Sequence, residues 1–496
     1  MKPMGTITKY YPFIDEGSKS ILESLMTESS SYFDFVDRLA KVVLEKEASD
    51  NLVYIAEAQC WYAGDIRSAI LDKYNSLVTI RPWRYYWGTH ESYKFENCQA
   101  ILQSLNSALE PSKDNWIATE LLLAHAYNLS GRPEGEKLLS EATAILDRQP
   151  DYSCFKPLAH IAESAIDFRE GKISDALTHC RKGYELAKAN NDAVYEFLSL
   201  LRMGNYTRNS RPQESLNEFE QTYQIAQNLG VPVFAAETLC GVGLAYEILG
   251  EYDLAISSQL ECLTDCPPVG NEIIFAILSR LYAALGDGQR SLEWADRCLD
   301  DREFHLGYLR KARALIILDR FDEAETLLNI GGKKVFQAGY EEHLARYHFV
   351  SGLLDMAKGE YDNAMGTLGQ AYEILYPLGG LVYLNEALVA LATAEVAQLK
   401  QSQGRDEVMS GKWLSILENH AHTFDMPGVA MQAALLRSEA FKSQGQLRDA
   451  HETLQRSLEL SDSPGVKTLR KRINDRIREL NQLLREADVP SKKRKE

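Results

Sequence analysis

Val233–Pro267 reads VFAAETLCGVGLAYEILGEYDLAISSQLECLTDCP, and this stretch decides the fold. As far as Leu249 it is apolar nearly all round, as a helix buried on two sides would be. Gly250 breaks the run, since glycine takes the left-handed conformation that ends a helix without a Cβ clash. Asp253 then falls in the first turn of a second helix, where a negative charge suits the positive end of the dipole. Ala255, five residues after the glycine, is small enough to let the two helices close on each other. Beyond it Leu254, Ile256, Leu260 and Leu263 mix with Ser257, Ser258, Gln259 and Glu261, which predicts a helix on the outer face. The stretch is a helical hairpin.

The same pattern recurs along the chain. A turn residue followed five later by a small residue appears at Gly64…Ala69, Gly171…Ala176, Gly286…Ser291, Gly359…Ala364 and Gly445…Ala450. Ser210…Ser215 and Asp319…Ala324 keep the spacing with a substituted turn residue. From Ala176 to Ala364 the small residues lie 39, 40, 36, 33 and 40 apart. From Ala364 to Ala450 is 86, two periods of 43, and Gly404…Met409 falls near the middle. A fixed period of this length marks stacked helical hairpins, each packing on its neighbours.

Gly243, Tyr246, Gly250, Tyr252, Ala255 and Pro267 resemble the signature of the tetratricopeptide repeat. Gly352, Gly359, Tyr361, Ala364 and Ala371 form a second match, and Ser438, Phe441, Gly445, Ala450 and Leu458 a looser third. The period of about 40 is similar to that of kinesin light chains and of the effector-sensing halves of MalT-like and Rap-type regulators. The resemblance implies an all-α fold, a right-handed superhelical α-solenoid of helix-turn-helix units. It further implies that the first helix of each pair lines a concave groove.

The expected organisation follows from where the pattern is regular. Residues 1–49 read as an N-terminal helical cap, with Ile21, Leu22 and Leu25, then Phe33, Val36, Leu39 and Val43 as its apolar faces. Residues 50–150 read as degenerate hairpins (Gly131 is followed five later by Glu136), residues 151–462 as the regular array, and residues 463–488 as a capping helix with Leu469, Ile473, Ile477, Leu480 and Leu484 on one side. Residues 489–496 read as a basic disordered tail. From Pro464 onward there are 11 Lys+Arg against 5 Asp+Glu, so with a chain total of −17 the remainder carries −23.

That acidity argues against a nucleic-acid partner, which needs clustered Lys and Arg. No run approaches the roughly 18 apolar residues of a membrane span, and the charged N-terminus leaves no signal-peptide core. The scattered Cys60, Cys98, Cys154, Cys180, Cys240, Cys262, Cys266 and Cys298 suit free thiols in a reducing cytoplasm better than a disulfide framework.

The chemistry-bearing residues form no recognised constellation. His343 and His348 are five apart, where a helical zinc pair needs four. Cys262 and Cys266 have no second pair and read as core. Cys154 with His160, and His179 beside Cys180, match no nucleophile signature. Gly331-Gly332-Lys333-Lys334 lacks the rest of a phosphate loop and reads as a flexible hairpin end. The chain therefore reads as a protein without catalytic residues, cofactor or metal.

Two groups suit binding. Trp83, Tyr86 and Trp87, with Arg81 and Arg84 among them, suit an aromatic contact, or else pack the joint to the regular array. The family's groove position, eleven residues before each small anchor, gives Arg280 and Arg313. Arg310 lies one turn earlier, and Arg346 takes the early position of the next unit; the preceding unit offers Glu237, Leu244 and Glu247. Four arginines on one concave wall would hold an acidic protein or peptide segment, unless the charges are exposed and self-compensating. The Lys/Asn clamp of co-chaperone arrays is not reproduced. Nothing in the sequence indicates self-association. The expected function is a protein-binding scaffold or adaptor; the alternative is a regulatory sensor whose superhelix takes a peptide or small effector and controls a separate partner.

Overall fold

A computed structural model describes residues 16–30, 32–45, 133–229, 232–265, 271–302, 305–401 and 411–488, together with Leu52, Ala56, Thr119, Leu123 and Ala126. Trp83, Tyr86 and Trp87, the Gly404…Met409 copy and the 489–496 tail lie outside the described residues. Among those described there are twenty α-helices and no strand, so the chain is an all-α solenoid.

Contacts divide the chain into two units. The first comprises residues 1–208, 214–241 and 261–271; the second comprises 209–213, 242–260 and 272–496. The first unit begins with α1 (Glu16–Glu28) and α2 (Tyr32–Glu45), then α3 (Pro133–Arg148), α4 (Lys156–Arg169), α5 (Ile173–Ala189), α6 (Ala193–Thr207) and most of α7 (Pro212–Leu229). Helices α8 (Pro232–Leu249) and α9 (Tyr252–Asp265) are shared between the units. The second unit continues with α10 (Asn271–Ala284), α11 (Gly288–Arg302), α12 (His305–Ile317), α13 (Phe321–Ala338), α14 (Glu341–Ala357) and α15 (Tyr361–Leu378). It ends with α16 (Leu381–Gln401), α17 (Lys412–Thr423), α18 (Pro427–Ser443), α19 (Leu447–Ser457) and α20 (Lys467–Asp488).

The hairpins are built as the sequence predicts. Gly171, Gly250, Gly286, Gly359 and Gly445 all have φ between 75° and 81°, and Asp319, which stands in for glycine, has φ 58°. After each of these turns the next N–H reaches back to the carbonyl five residues earlier: Glu251 N to Tyr246 O at 2.8 Å, Arg320 N to Leu315 O and Glu360 N to Asp355 O at 2.9 Å. The small anchors Ala176, Ser215, Ala255, Ser291, Ala324, Ala364 and Ala450 are fully buried at 0% exposure, which is where two helices meet. Consecutive helices pack on one another from α3 to α6 and from α11 to α20, and first helices of successive pairs touch, as α12 does α14 and α16 does α18.

Three sequence expectations are corrected. Gly331–Lys334 is no hairpin end but lies inside α13, where Gly332 accommodates a ring: a Cβ there would lie 2.6 Å from Tyr347 Cε2. On α9, Gln259 and Ser258 are buried rather than outward, because Gln259 packs on Gly243. In α2 the buried face also takes in Phe35, which the apolar pattern left out, beside Leu39 and Val43.

The second unit also folds back on its own first hairpin. A Cβ at Gly250 would lie 2.6 Å from Val429 N at the start of α18, whereas Gly171, Gly359 and Gly445 have nothing within 4 Å. Asn385 of α16 donates to Ile248 O at 3.0 Å, satisfying a carbonyl that the end of α8 leaves over. Asp253 accepts from Thr468 N at 2.8 Å and from Thr468 Oγ1 at 2.7 Å, capping the start of α20. Leu469, Ile473 and Leu480 of α20 pack on Met431, Ala450 and Leu454.

Candidate functional site

All four arginines sit on first helices of the second unit, Arg280 on α10, Arg310 and Arg313 on α12, Arg346 on α14. The fold brings Arg280, Arg310 and Arg346 to one ring, Tyr383 of α16, while Arg313 lies over Phe349 of α14. The Arg280 guanidinium lies 4.8 Å and the Arg346 guanidinium 3.9 Å from the ring centroid. Arg280 Nη1 also donates to Tyr383 Oη at 2.5 Å.

Their charges are compensated unequally. Arg280 grips Glu247 of α8 with two hydrogen bonds of 2.6 Å, the two side chains being 7% and 3% exposed. Burial opposes the Arg280 charge, and Glu247 overcomes it, holding the guanidinium well above its ordinary value. Arg313 Nη1 donates to Glu386 Oε1 at 2.7 Å. Glu386 Oε2 is buried and has no hydrogen-bond donor among the described residues. Arg346 pairs along its own helix with Glu342, whose side chain is half exposed, and its buried Nε has no acceptor among the described residues.

Arg310 differs from the other three. Its Nε donates to Ala276 O at 3.1 Å, and no carboxylate stands within ion-pair distance among the described residues. Burial first, and then the like charges of Arg346 and Arg280, lower its pKa, with the Tyr383 hydroxyl and the Cys298 thiol acting the other way. A guanidinium held near two others and given one carbonyl is where positive charge is least compensated among the four.

Sequence phase found the arginines and missed what faces them. Glu247 was legible, one turn after Leu244, which holds the corresponding groove position of the preceding repeat. Glu386 and Tyr383 were not, because they meet α12 and α10 only once the array has curled through α16. A separate open hollow of about 520 Å³ lies between Asp462 and Arg478, lined by Lys467, Arg470 and Lys471. It contains none of the groove arginines, and Arg470 spends Nη1 on Leu458 O at 2.8 Å, so hollow volume and charge imbalance point to different places. The unbalanced charge is the better guide to binding.

The first unit holds a second cluster. Nδ1 of His160 on α4 and Nδ1 of His179 on α5 lie 2.7 and 2.5 Å from the same oxygen, Glu163 Oε2. Burial pushes the Glu163 carboxyl up, and the two histidines outweigh it and hold it below its ordinary value. Beside them Cys180 is fully buried and its thiol is pushed up to about 12, which leaves it unreactive. Cys262 is core, donating to Ala236 O at 3.0 Å.

Residues 236–264 match the tetratricopeptide repeat family. No curated protein matches the chain in sequence. Among solved structures it is similar to a STAND signal-transduction ATPase with a tetratricopeptide repeat sensor from Pyrococcus horikoshii (13% identity, 66% of this chain and 54% of that one, TM-score 0.40). The chain thus spans about half the length of that protein. It is also similar to a Rap protein complexed with competence and sporulation factor (13% identity, 75% and 99% covered, TM-score 0.37) and to yeast Tom70 (13% identity, 92% and 97% covered, TM-score 0.35). No helix among the described residues is long and apolar enough to cross a membrane.

Proposed function

We propose that this chain, in which residues 236–264 match the tetratricopeptide repeat family, is a non-catalytic scaffold that binds a protein partner through an acidic segment in the groove of the second unit. Arg310 and Arg346 are the residues that read it. The observation that carries this is Arg310, a guanidinium set among like charges with one carbonyl and no carboxylate. Four arginines face two buried carboxylates, Glu247 and Glu386, and the half-exposed Glu342. A partner carboxylate would complete the balance and take the two-pronged hydrogen bonding that guanidinium favours. The spare oxygen of Glu386 would accept from a backbone N–H, which a peptide also supplies. Association of this kind is fast and sensitive to salt.

Arg280 and Arg313 serve a different end, since each is spent on a buried carboxylate. Changing them would test folding before binding. The test is affinity capture from the source cells with the wild-type chain and with an Arg310→Glu, Arg346→Glu double variant. A partner that carries an acidic segment and is lost by the double variant supports the reading. Equal capture by both, with both folded, contradicts it.

A sensor reading has one observation in its favour, the polar seam that closes the second unit. Ser463 Oγ donates to Glu251 Oε2 at 2.8 Å, Thr468 is held by Asp253, and Arg472 donates to Leu285 O, contacts that an effector could trade for its own. Spin labels at residues 253 and 468 would separate on effector binding under this reading and stay together under the scaffold reading.

A further inference from the structure

We propose that His160, Glu163 and His179 form a binding site for a divalent transition-metal ion of the zinc class. Their ligand atoms all lie within 4.8 Å of one another, and both imidazole Nδ1 atoms are aimed at one carboxylate oxygen. Two nitrogens and an oxygen suit zinc, cobalt or nickel, whereas calcium and magnesium take all-oxygen sets.

The surroundings prepare the cluster for that task. Asp167 Oδ2 lies 3.6 Å from His179 Nε2, on the far side of the ring from Glu163. At that distance Asp167 acts as a nearby negative charge; closed to hydrogen-bond length on metal binding, it would keep the proton on Nε2 and leave the Nδ1 lone pair to the metal. His160 and Glu163 are three apart on α4 and so share a face, while His179 comes from the facing helix of the same hairpin. Gly183, one turn beyond His179, sets how closely the helices approach. A Cβ there would lie 3.2 Å from Pro157 O and 3.5 Å from His160 Cβ, so a larger residue would push α5 off α4 and part the histidines. The imidazole centroids are 5.7 Å apart.

Access and strain both permit an ion. The three side chains are 25%, 30% and 27% exposed, open enough for an ion to enter and for water or a partner's ligand to complete its shell. Ligand atoms about 2.1 Å from a tetrahedral ion stand about 3.4 Å from each other. Glu163 Oε2 would therefore withdraw by under about 1 Å from each nitrogen, a rotation its partly exposed side chain allows.

The test uses the full chain, untagged and stripped with chelator, titrated with Co²⁺ while the visible d–d bands are followed, then with Zn²⁺ in competition. The expected result is one equivalent bound, with bands of four-coordinate intensity that Zn²⁺ abolishes. His160→Ala and His179→Ala should each weaken binding at least tenfold, and Asp167→Asn about tenfold through its effect on His179. His348→Ala, in the other unit, should change nothing. If either alanine variant perturbs folding, the corresponding Gln variant replaces it. Zn²⁺ should also raise the melting temperature of the wild type and not that of the variants. Equal Co²⁺ affinity in wild type and both histidine variants, or no d–d bands in any of them, would overturn the proposal and leave the cluster a hydrogen-bonded brace.

Discussion

The two units hold their charges in opposite ways. In the second, Arg280 and Glu247 are 7% and 3% exposed and answer each other completely, two donors to two acceptors. In the first, His160, His179 and Glu163 are all 25–30% exposed, and one carboxylate oxygen serves both rings. A charge that is buried must be paired where it stands, so it becomes part of the framework. A charge that keeps some water, or lacks a full partner, remains able to take a ligand. Arg310 lies between these cases: it is on the same wall as Arg280 and has no carboxylate partner among the described residues.

The sharpest way to break this contrast is to remove one member of the buried pair. Glu247→Leu should destabilise the chain by about 3–5 kcal/mol, because Arg280 is then charged, buried and unanswered. The double variant Glu247→Leu, Arg280→Met should recover most of that loss in chemical denaturation. If the single and double variants unfold alike, the pair is not part of the framework.

A smaller effect separates two turns of identical backbone. Gly359→Ala should cost about 1–2 kcal/mol, the strain of a left-handed non-glycine residue. Gly250→Ala should cost more, since its Cβ would also meet Val429 N at 2.6 Å. Equal costs would mean that the fold-back onto α18 is loose. At the packed positions, Ala255→Leu and Ala364→Leu should each lower stability by about 1–3 kcal/mol through overpacking.

A further effect concerns pH in the first unit. Asp192 caps α6, accepting from Val194 N and Tyr195 N at 3.1 Å, and burial nevertheless lifts it to about 7. A carboxyl raised in the folded state contributes stability below its unfolded value near 4, and that contribution is lost as pH climbs through about 7. Stability of the first unit should therefore fall between about pH 4 and 7, and Asp192→Asn, which keeps the cap, should flatten the slope. A slope unchanged in the variant would assign the effect to other groups.

What the sequence disclosed follows the range of the interactions. The turns at Gly250 or Gly359 and the anchors Ala255 and Ala364 are set by contacts within one hairpin, so spacing alone locates them. The facing of Arg280, Arg310, Arg313 and Arg346 was legible too, because phase along a helix is local. Tyr383 and Glu386, the second duty of Gly250 and the burial of Gln259 depend on helices far along the chain or on packing between hairpin partners. The meeting of His179 with Glu163 hides for a subtler reason: the two are sixteen residues apart, on helices whose relative rotation no periodicity states. Gly331-Gly332 misled because glycine usually marks a turn, and here it admits Tyr347 against a helix.

The central claim is that the under-partnered guanidinium of Arg310, not the paired Arg280, takes an acidic segment. The most direct measurement is the affinity of a fluorescent glutamate-rich peptide for the wild-type chain and for Arg310→Gln, read by anisotropy at low and moderate salt. The account predicts a loss of at least tenfold in the variant, about 1.4 kcal/mol, with melting no lower than wild type and a shallower dependence on salt. Equal affinity and equal salt dependence in the two proteins would contradict it.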